Sequence, residues 1–265
     1  MKRFVPFVKN DPTVAVVRLA GVIGTSGRGA LSDAALGPTI EKAFARGRPA
    51  AVALVINSPG GSPVQSSLIG ARIRRLADEK GIPVLAFVED VAASGGYWLA
   101  AAADEIFADE SSVIGSIGVI SATFGAHELL GRHGIERRVH TAGTSKSMLD
   151  PFRPEDPKDV ERLKTLLEDI HGNFKAHVTG RRGARLTNEQ DLFTGEVWLG
   201  RRAQALGLID GIGHLVPVLK RRFGDKVKLR RYDLRRPLMA RLGMRVLDDA
   251  FNQIEERAAF AQFGL

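Results

Sequence analysis

Three apolar runs constrain this chain more than anything else in it. Val14–Ile23, Ala50–Ile56 and Val84–Val88 consist largely of Val, Ile, Leu and Ala, and each reads as a buried strand. Between the first two, Ser32–Phe44 carries Leu36, Ile40 and Phe44 at four-residue spacing, a helix with one apolar face. Between the second and third, Val64, Leu68, Ile73 and Leu76 mark a helix running to Lys80 and stopped by Gly81 and Pro83. Strands alternating with helices at intervals of roughly 25–30 residues imply α/β layers, right-handed crossovers and a mostly parallel sheet.

Further along, Glu105–Ala108 reads as a short strand and Ser111–Ile120 as a glycine-punctuated strand or turn. Phe124–His133 reads as a helix and Glu136–Thr141 as another strand. After Pro151 the texture changes. A long polar helix begins near Pro157, with Val160, Leu163, Leu167, Ile170 and Phe174 on one side and Glu155 or Asp156 at its positive end. Asn188–Phe193 and Gly200–Leu206 are predicted as short helices, Val227–Tyr232 as a small strand and Pro237–Phe260 as a terminal helix. The 265 residues are enough for a substantial core. They divide into an N-terminal segment (1–13), a main α/β domain (14–215) and a C-terminal extension (216–265).

Charge is concentrated in that extension. The chain carries a net charge of +8, while residues 216–245 alone carry +9, so the basicity belongs to one element and not to the core. Such an element suits a neighbouring subunit or an anionic membrane surface, with Leu238, Met239, Leu242, Val246, Leu247, Phe251 and Ile254 following in the terminal helix. No aromatic or base-reading motif accompanies it, so nucleic acid is not expected as a partner. The chain has no cysteine, which excludes disulfides, thiolate metal sites and a cysteine nucleophile. No stretch approaches the ~18 apolar residues of a spanning helix or forms a signal-peptide core. The expected location is cytoplasmic or peripheral to the inner membrane.

Chemistry concentrates where strands end. Asp90–Leu99 follows the third apolar run and opens an alanine-rich helix, and within it Ser94 is followed by Gly95 and Gly96. A serine at such a junction projects its hydroxyl from a sharp turn beside unpaired amides at a positive helix end, which is what a nucleophile next to an oxyanion hole requires. The plainer alternative is a helix N-cap. Asn57-Ser58-Pro59-Gly60-Gly61 closes the second run. It is either a plain strand-to-helix turn or the second wall of that hole, in a cleft at the carboxyl edge of the sheet. None of the six histidines (127, 133, 140, 171, 177 and 214) lies in a tight motif with an acid, and they read as exposed or structural. Lys146, among small residues in Gly143–Ser147, is either a surface lysine or a desolvated general base.

Four elements together resemble the signal peptide peptidase A (SppA) family, the Ser-Lys peptidases of the Clp/crotonase superfamily. They are Ile56–Gly61, Ala93–Trp98, Ser112–Val119, and Gly143–Ser147 followed by Asp150-Pro151-Phe152. Gly195–Gly200 and Ala205–Asp210 add to the likeness, which runs from about residue 14 to about 220. The resemblance implies a Clp/crotonase-like repeated β-β-α superhelix with a C-terminal helical extension. It implies Ser94 as nucleophile, Lys146, 52 residues later, as general base, and Ser116 as the residue that orients the lysine. Gly95 with Gly60 or Gly61 would form the oxyanion hole, with Asn57 and Ser58 in a positioning role. The Clp proteases use a His-Asp pair, and their histidine falls in a segment that here, Val113–Val119, has none. Enoyl-CoA hydratase-type enzymes need no such serine and lysine.

The implied activity is cofactor-free endopeptidase cleavage of unfolded or membrane-derived peptides, remnant signal peptides among them. It is implied to occur in a homo-oligomer whose active site lies near subunit interfaces. Tyr97, Trp98, Met148, Leu149 and Phe152 would suit either an apolar side-chain pocket or packing. The alternative is a catalytically silent scaffold or membrane-associated assembly protein on the same fold.

Overall fold

A computed structural model of the chain describes residues 11–25, 30–143, 145–233 and 257–265. The main sheet starts with β1 (Thr13–Ala20), β2 (Ala51–Ser58) and β3 (Val84–Ala93), in parallel register from Val14↔Ala51 and Val52↔Val84 onward. These are the three apolar runs. Both of their faces are covered: Val17, Leu19, Leu54, Ile56 and Ala86 enter the main core, and Val14, Val16, Ala53, Leu85 and Phe87 enter a second cluster on the other side. Burial on both faces is why no polar alternation appears in the sequence.

The crossovers are α1 (Asp33–Ala45) and α2 (Pro63–Lys80). Ser32 caps α1 by accepting from the Ala35 amide, and Ser62 caps α2 by accepting from the Gln65 amide. Gly81 ends α2 in the left-handed conformation at φ 60°. The buried face of α2 is Ile69, Gly70, Ile73, Leu76 and Ala77. Val64 and Leu68, expected on that face, are exposed instead.

Strand β3 changes neighbours halfway along. Leu85–Val88 pairs with β4 (Glu105–Ala108), whereas Val91–Ala93 pairs with β5 (Val113–Gly115). Asn57 holds the intervening bend to β2, donating to the Asp90 carboxylate at 2.6 Å and accepting from the Val91 amide at 3.3 Å. From the end of β3 the chain turns through Ser94 into α3 (Gly95–Ala101), which starts before the predicted Leu99. β6 (Val197–Leu199) runs antiparallel to β5, and the other pairings are parallel. This mixed α/β architecture with a mostly parallel sheet is the expected fold class. Residues 200–232 add α6 (Gly200–Ala205), β7 (Gly211–Ile212) against β4, α7 (Leu215–Phe223) and β8 (Lys228–Tyr232) along β1.

Three local expectations fail. Residues 136–141, predicted as a strand, are irregular and exposed. Among the described residues no strand pairs with them, and an unpaired strand does not hold. The helix predicted from Phe124 shrinks to α4 (His127–Arg132). Asn188–Phe193 is a series of bends, because Thr187 and Asp191 accept hydrogen bonds from the backbone amides of Glu189 and Phe193 and so compete with the helix. The predicted terminal helix falls largely on 237–256, outside the described residues. Among the described residues no helix is long and apolar enough to cross a membrane.

Helix α5 (Pro157–Arg182), capped by the Asp156 carboxylate on the Lys158 amide, lies across α3. His177 stacks on Trp98 (ring centroids 4.3 Å apart, planes at 5°) and donates from Nε2 to the Trp98 carbonyl. Phe174 packs on the same indole at 5.2 Å. At the end of α5, Arg182 is buried. It binds Asp210 at 2.7 Å and the Gly207 carbonyl at 2.9 Å, while Asp210 accepts from the Ile106 amide of β4. The buried Tyr97 hydroxyl donates to the neighbouring Leu208 carbonyl.

Removing one partner of a buried ion pair strands the other. Arg182→Ala is therefore expected to lower unfolding free energy by about 3 kcal/mol, measured by urea denaturation. Burial holds His177 below the ordinary histidine pKa, and nearby Arg181 pushes the same way, outweighing the Trp98 carbonyl bond. A histidine pKa lowered in the fold means that the unfolded chain binds more protons. The contribution is complete well above the unfolded value of about 6.5 and is lost as pH falls below it. The urea midpoint should drop between pH 7 and pH 5, and less so in His177→Gln. The carboxylates titrate mainly below that window.

Candidate active site

The carboxyl ends of β2 and β3 open on a cleft of about 680 Å³, within the range of small-ligand and peptide side-chain sites. Ser94, Ser116, Gly60, Gly61 and Gly95 all line it. Ser94 sits at φ 51°, ψ −123°, a region costly for any residue with a Cβ. Its amide donates to the Gly115 carbonyl at 2.8 Å and its carbonyl accepts from the Trp98 amide at 3.0 Å, so the turn is clamped from both sides. The hydroxyl makes no capping bond to α3. Ser94 therefore occupies the N-cap position without capping the helix through its side chain. Ser116 follows β5 with the same unusual φ of 51°, its amide fixed to the Glu196 carbonyl at 2.7 Å.

The glycines are there for close approach. A Cβ on Gly60 (φ 106°) would stand 2.7 Å from the Ser94 Cβ, and one on Gly96 would stand 2.3 Å from the Ser58 carbonyl oxygen. Ser58 is fully buried. Its hydroxyl donates to the Gly21 carbonyl at 2.7 Å and accepts from the Gly60 amide at 3.2 Å. The Gly60 amide is thereby used. Among the described residues the amides of Gly61 and Gly95 have no hydrogen-bond partner, and a Cβ on Gly95 would lie 3.4 Å from the Gly61 nitrogen. Each glycine turn thus brings to the cleft that Ser94 lines one amide without a hydrogen-bond partner among the described residues.

Lys146 is not brought to the cleft. It lies exposed in the turn 145–149, within a stretch, 119–156, that is largely exposed. Ile120, Phe124, Leu129, Ile135, Val139 and Phe152 are all exposed along it, Phe124 by 89%. Asp150 is held below the usual carboxylate range chiefly by the Phe152 amide, with Arg137 at 2.9 Å adding to the effect.

The expected apolar pocket is also redrawn. Trp98 lines the cleft, but Tyr97 points the other way into the core, because consecutive residues on a helix diverge. Met148, Leu149 and Phe152 belong to the outlying stretch. The cleft takes its apolar wall instead from Ile170 and Phe174 of α5 and from Val119 and Ile120. His171 lines it too, with Nε2 3.1 Å from the Ile117 carbonyl. Its place in the sequence, on a polar helix shortly after Glu168 and Asp169, carries no signal of this role.

Residues 77–227 match the family model described as peptidase family S49. The whole chain aligns at 48% identity with 39% of a Brucella melitensis protein named Na(+)/H(+) antiporter NhaA. Over 77% of its length it is 33% identical to "Probable protease SohB" of Haemophilus influenzae, covering 57% of that protein. Over 60% of its length it is 34% identical to the chloroplastic serine protease SPPA of Arabidopsis thaliana, covering 24% of it. The chain thus spans well under two thirds of each of these relatives. The family model covers more than half of this chain, and on that ground the chain belongs to peptidase family S49.

Proposed function

We propose that the chain is a serine endopeptidase in which Ser94 attacks the peptide carbonyl, with a lysine and not a histidine as base. The observation that carries this reading is the Ser94 turn. A serine held in a costly backbone conformation, its hydroxyl making no capping bond and its cleft lined by two amides unpaired among the described residues, has the form of a nucleophile in an oxyanion hole. Neutral Lys146 takes the hydroxyl proton as Oγ bonds to the carbonyl carbon. The Gly61 and Gly95 amides receive the developing oxyanion. The lysine ammonium then gives its proton to the departing amine, and water hydrolyses the ester by the same route in reverse. Ser116, which lines the same cleft as Ser94, hydrogen-bonds the lysine in this reading.

Within one subunit Lys146 lies outside the cleft, on a stretch that exposes six large apolar side chains. Both facts support a homo-oligomer in which that stretch packs on a neighbour and delivers Lys146 to the neighbour's Ser94. The apolar cleft wall supports unfolded or membrane-derived peptides, remnant signal peptides among them, as substrates. No transport activity is proposed. The antiporter name belongs to a protein of which this chain matches 39%.

Ser94→Ala and Lys146→Ala should each lower the hydrolysis of a quenched fluorescent peptide by about 10³-fold or more. Near-wild-type rates in either would dismiss the dyad. Co-expressing the two inactive variants is expected to restore a fraction of the activity, because some interfaces then pair an intact serine with an intact lysine. Assemblies that stay inactive would mean that each subunit supplies both groups. A lysine base also predicts a rate that climbs on the alkaline side of neutrality, read from a pH–kcat/KM profile.

A further inference from the structure

The chain returns to the cleft at residues 257–265. Residues 257–261 are helical, and Phe260 and Phe263 pack on Val91, Ala93 and Val113. Those three residues share the outer face of the small sheet formed by β3 and β5, where Val91 pairs with Val113 and Ala93 directly precedes Ser94. Ala259, Gln262 and Phe263, spaced as one face of a helical turn, line the same cleft as Ser94 and Ser116. The hydrogen bonds found for this segment among the described residues are internal to it, including Gln262 Nε2 to the Ala259 carbonyl at 2.9 Å. Its position is therefore set by the two phenylalanine rings. The Gln262 side-chain oxygen is left free to accept.

We propose that residues 257–265 form a substrate-binding wall of the cleft, with Phe263 and Gln262 as specificity-determining residues. Phe263 presents apolar ring surface opposite the α5 wall of Ile170 and Phe174 and selects an apolar substrate side chain between them. The Gln262 oxygen accepts a hydrogen bond from a substrate backbone amide. The inference rests on Ser94 as the nucleophile for its effect on turnover, but not for its effect on peptide binding.

The test uses the full chain with Phe263→Ala, Phe263→Leu and Gln262→Ala. The last changes an exposed side chain and guards against a loss of folding. Internally quenched peptides that differ at one position (Leu, Phe or Lys) report on the wall. p-Nitrophenyl acetate, too small to reach it, reports on Ser94 alone. Phe263→Ala should raise KM for the Leu and Phe peptides about fivefold or more, with kcat changed less than twofold and the Lys peptide little affected. Phe263→Leu should keep most of the wild-type KM, and Gln262→Ala should raise KM for all three peptides alike. Ester hydrolysis should fall less than peptide kcat/KM in these three variants.

Unchanged KM in both alanine variants would overturn the proposal, and so would a rise in kcat/KM, which would make the segment an obstruction. Should Ser94→Ala leave ester hydrolysis intact, the nucleophile assignment fails separately. The wall is then decided by fluorescence anisotropy of a labelled Leu peptide on the full-length Ser94→Ala protein. Weaker binding on adding Phe263→Ala supports the wall, and equal binding overturns it.

Discussion

Backbone approaching backbone around Ser94 is the constraint on which the rest of the site depends. Gly60 lies against the Ser94 Cβ, Gly96 against the Ser58 carbonyl, and the Gly115 carbonyl receives the Ser94 amide. The first two approaches leave no room for a Cβ on the glycine. Together they hold a serine at φ 51°, a geometry with a cost of order 1–3 kcal/mol that persists only when its surroundings over-determine it. The surroundings do so. Helix α3 is anchored one residue beyond Gly96 by Tyr97, whose hydroxyl is spent on Leu208, and burial raises that phenol far from any useful titration. What looks like a local turn is held by strands β2, β3 and β5 and by the loop after α6.

The partner change in β3 explains why so short a stretch controls so much. A strand paired with β4 before its bend and with β5 after it delivers Ser94 to the seam between two parts of the sheet. Asn57 fixes the bend and Ser58 ties the adjoining turn to β1. Residues that look like mere turn formers in the sequence are the ones that set the register of the seam. Ser58 also occupies the Gly60 amide, which leaves Gly61 and Gly95 as the free pair and narrows an assignment that the glycine doublet alone leaves open.

The strands, the first two crossovers and both glycine turns were legible because each rests on local chemistry: apolar runs, serine caps, a left-handed glycine stop. The conformation of Ser94 was not legible. The sequence shows a serine before two glycines, and only long-range contacts decide that it sits at φ 51° without capping its helix. The stretch around Lys146 misled for a related reason. Glu136–Thr141 reads as a strand, yet among the described residues no neighbour is there to pair with it. The α5 wall escaped notice because Ile170 and Phe174 look like ordinary core residues of an amphipathic helix, and the last residues of the chain carry no motif at all.

The basic stretch acquires a plainer meaning from where β8 lies. Among the described residues β8 pairs with β1 alone, so it ends the sheet with a row of backbone groups that another chain's strand could copy. Lys228, Arg230 and Arg231 sit on that edge, largely exposed, and like-charged strands repel before they can dock. The positive charge works there as insulation. Charge of one sign along that edge works against sideways growth of the sheet.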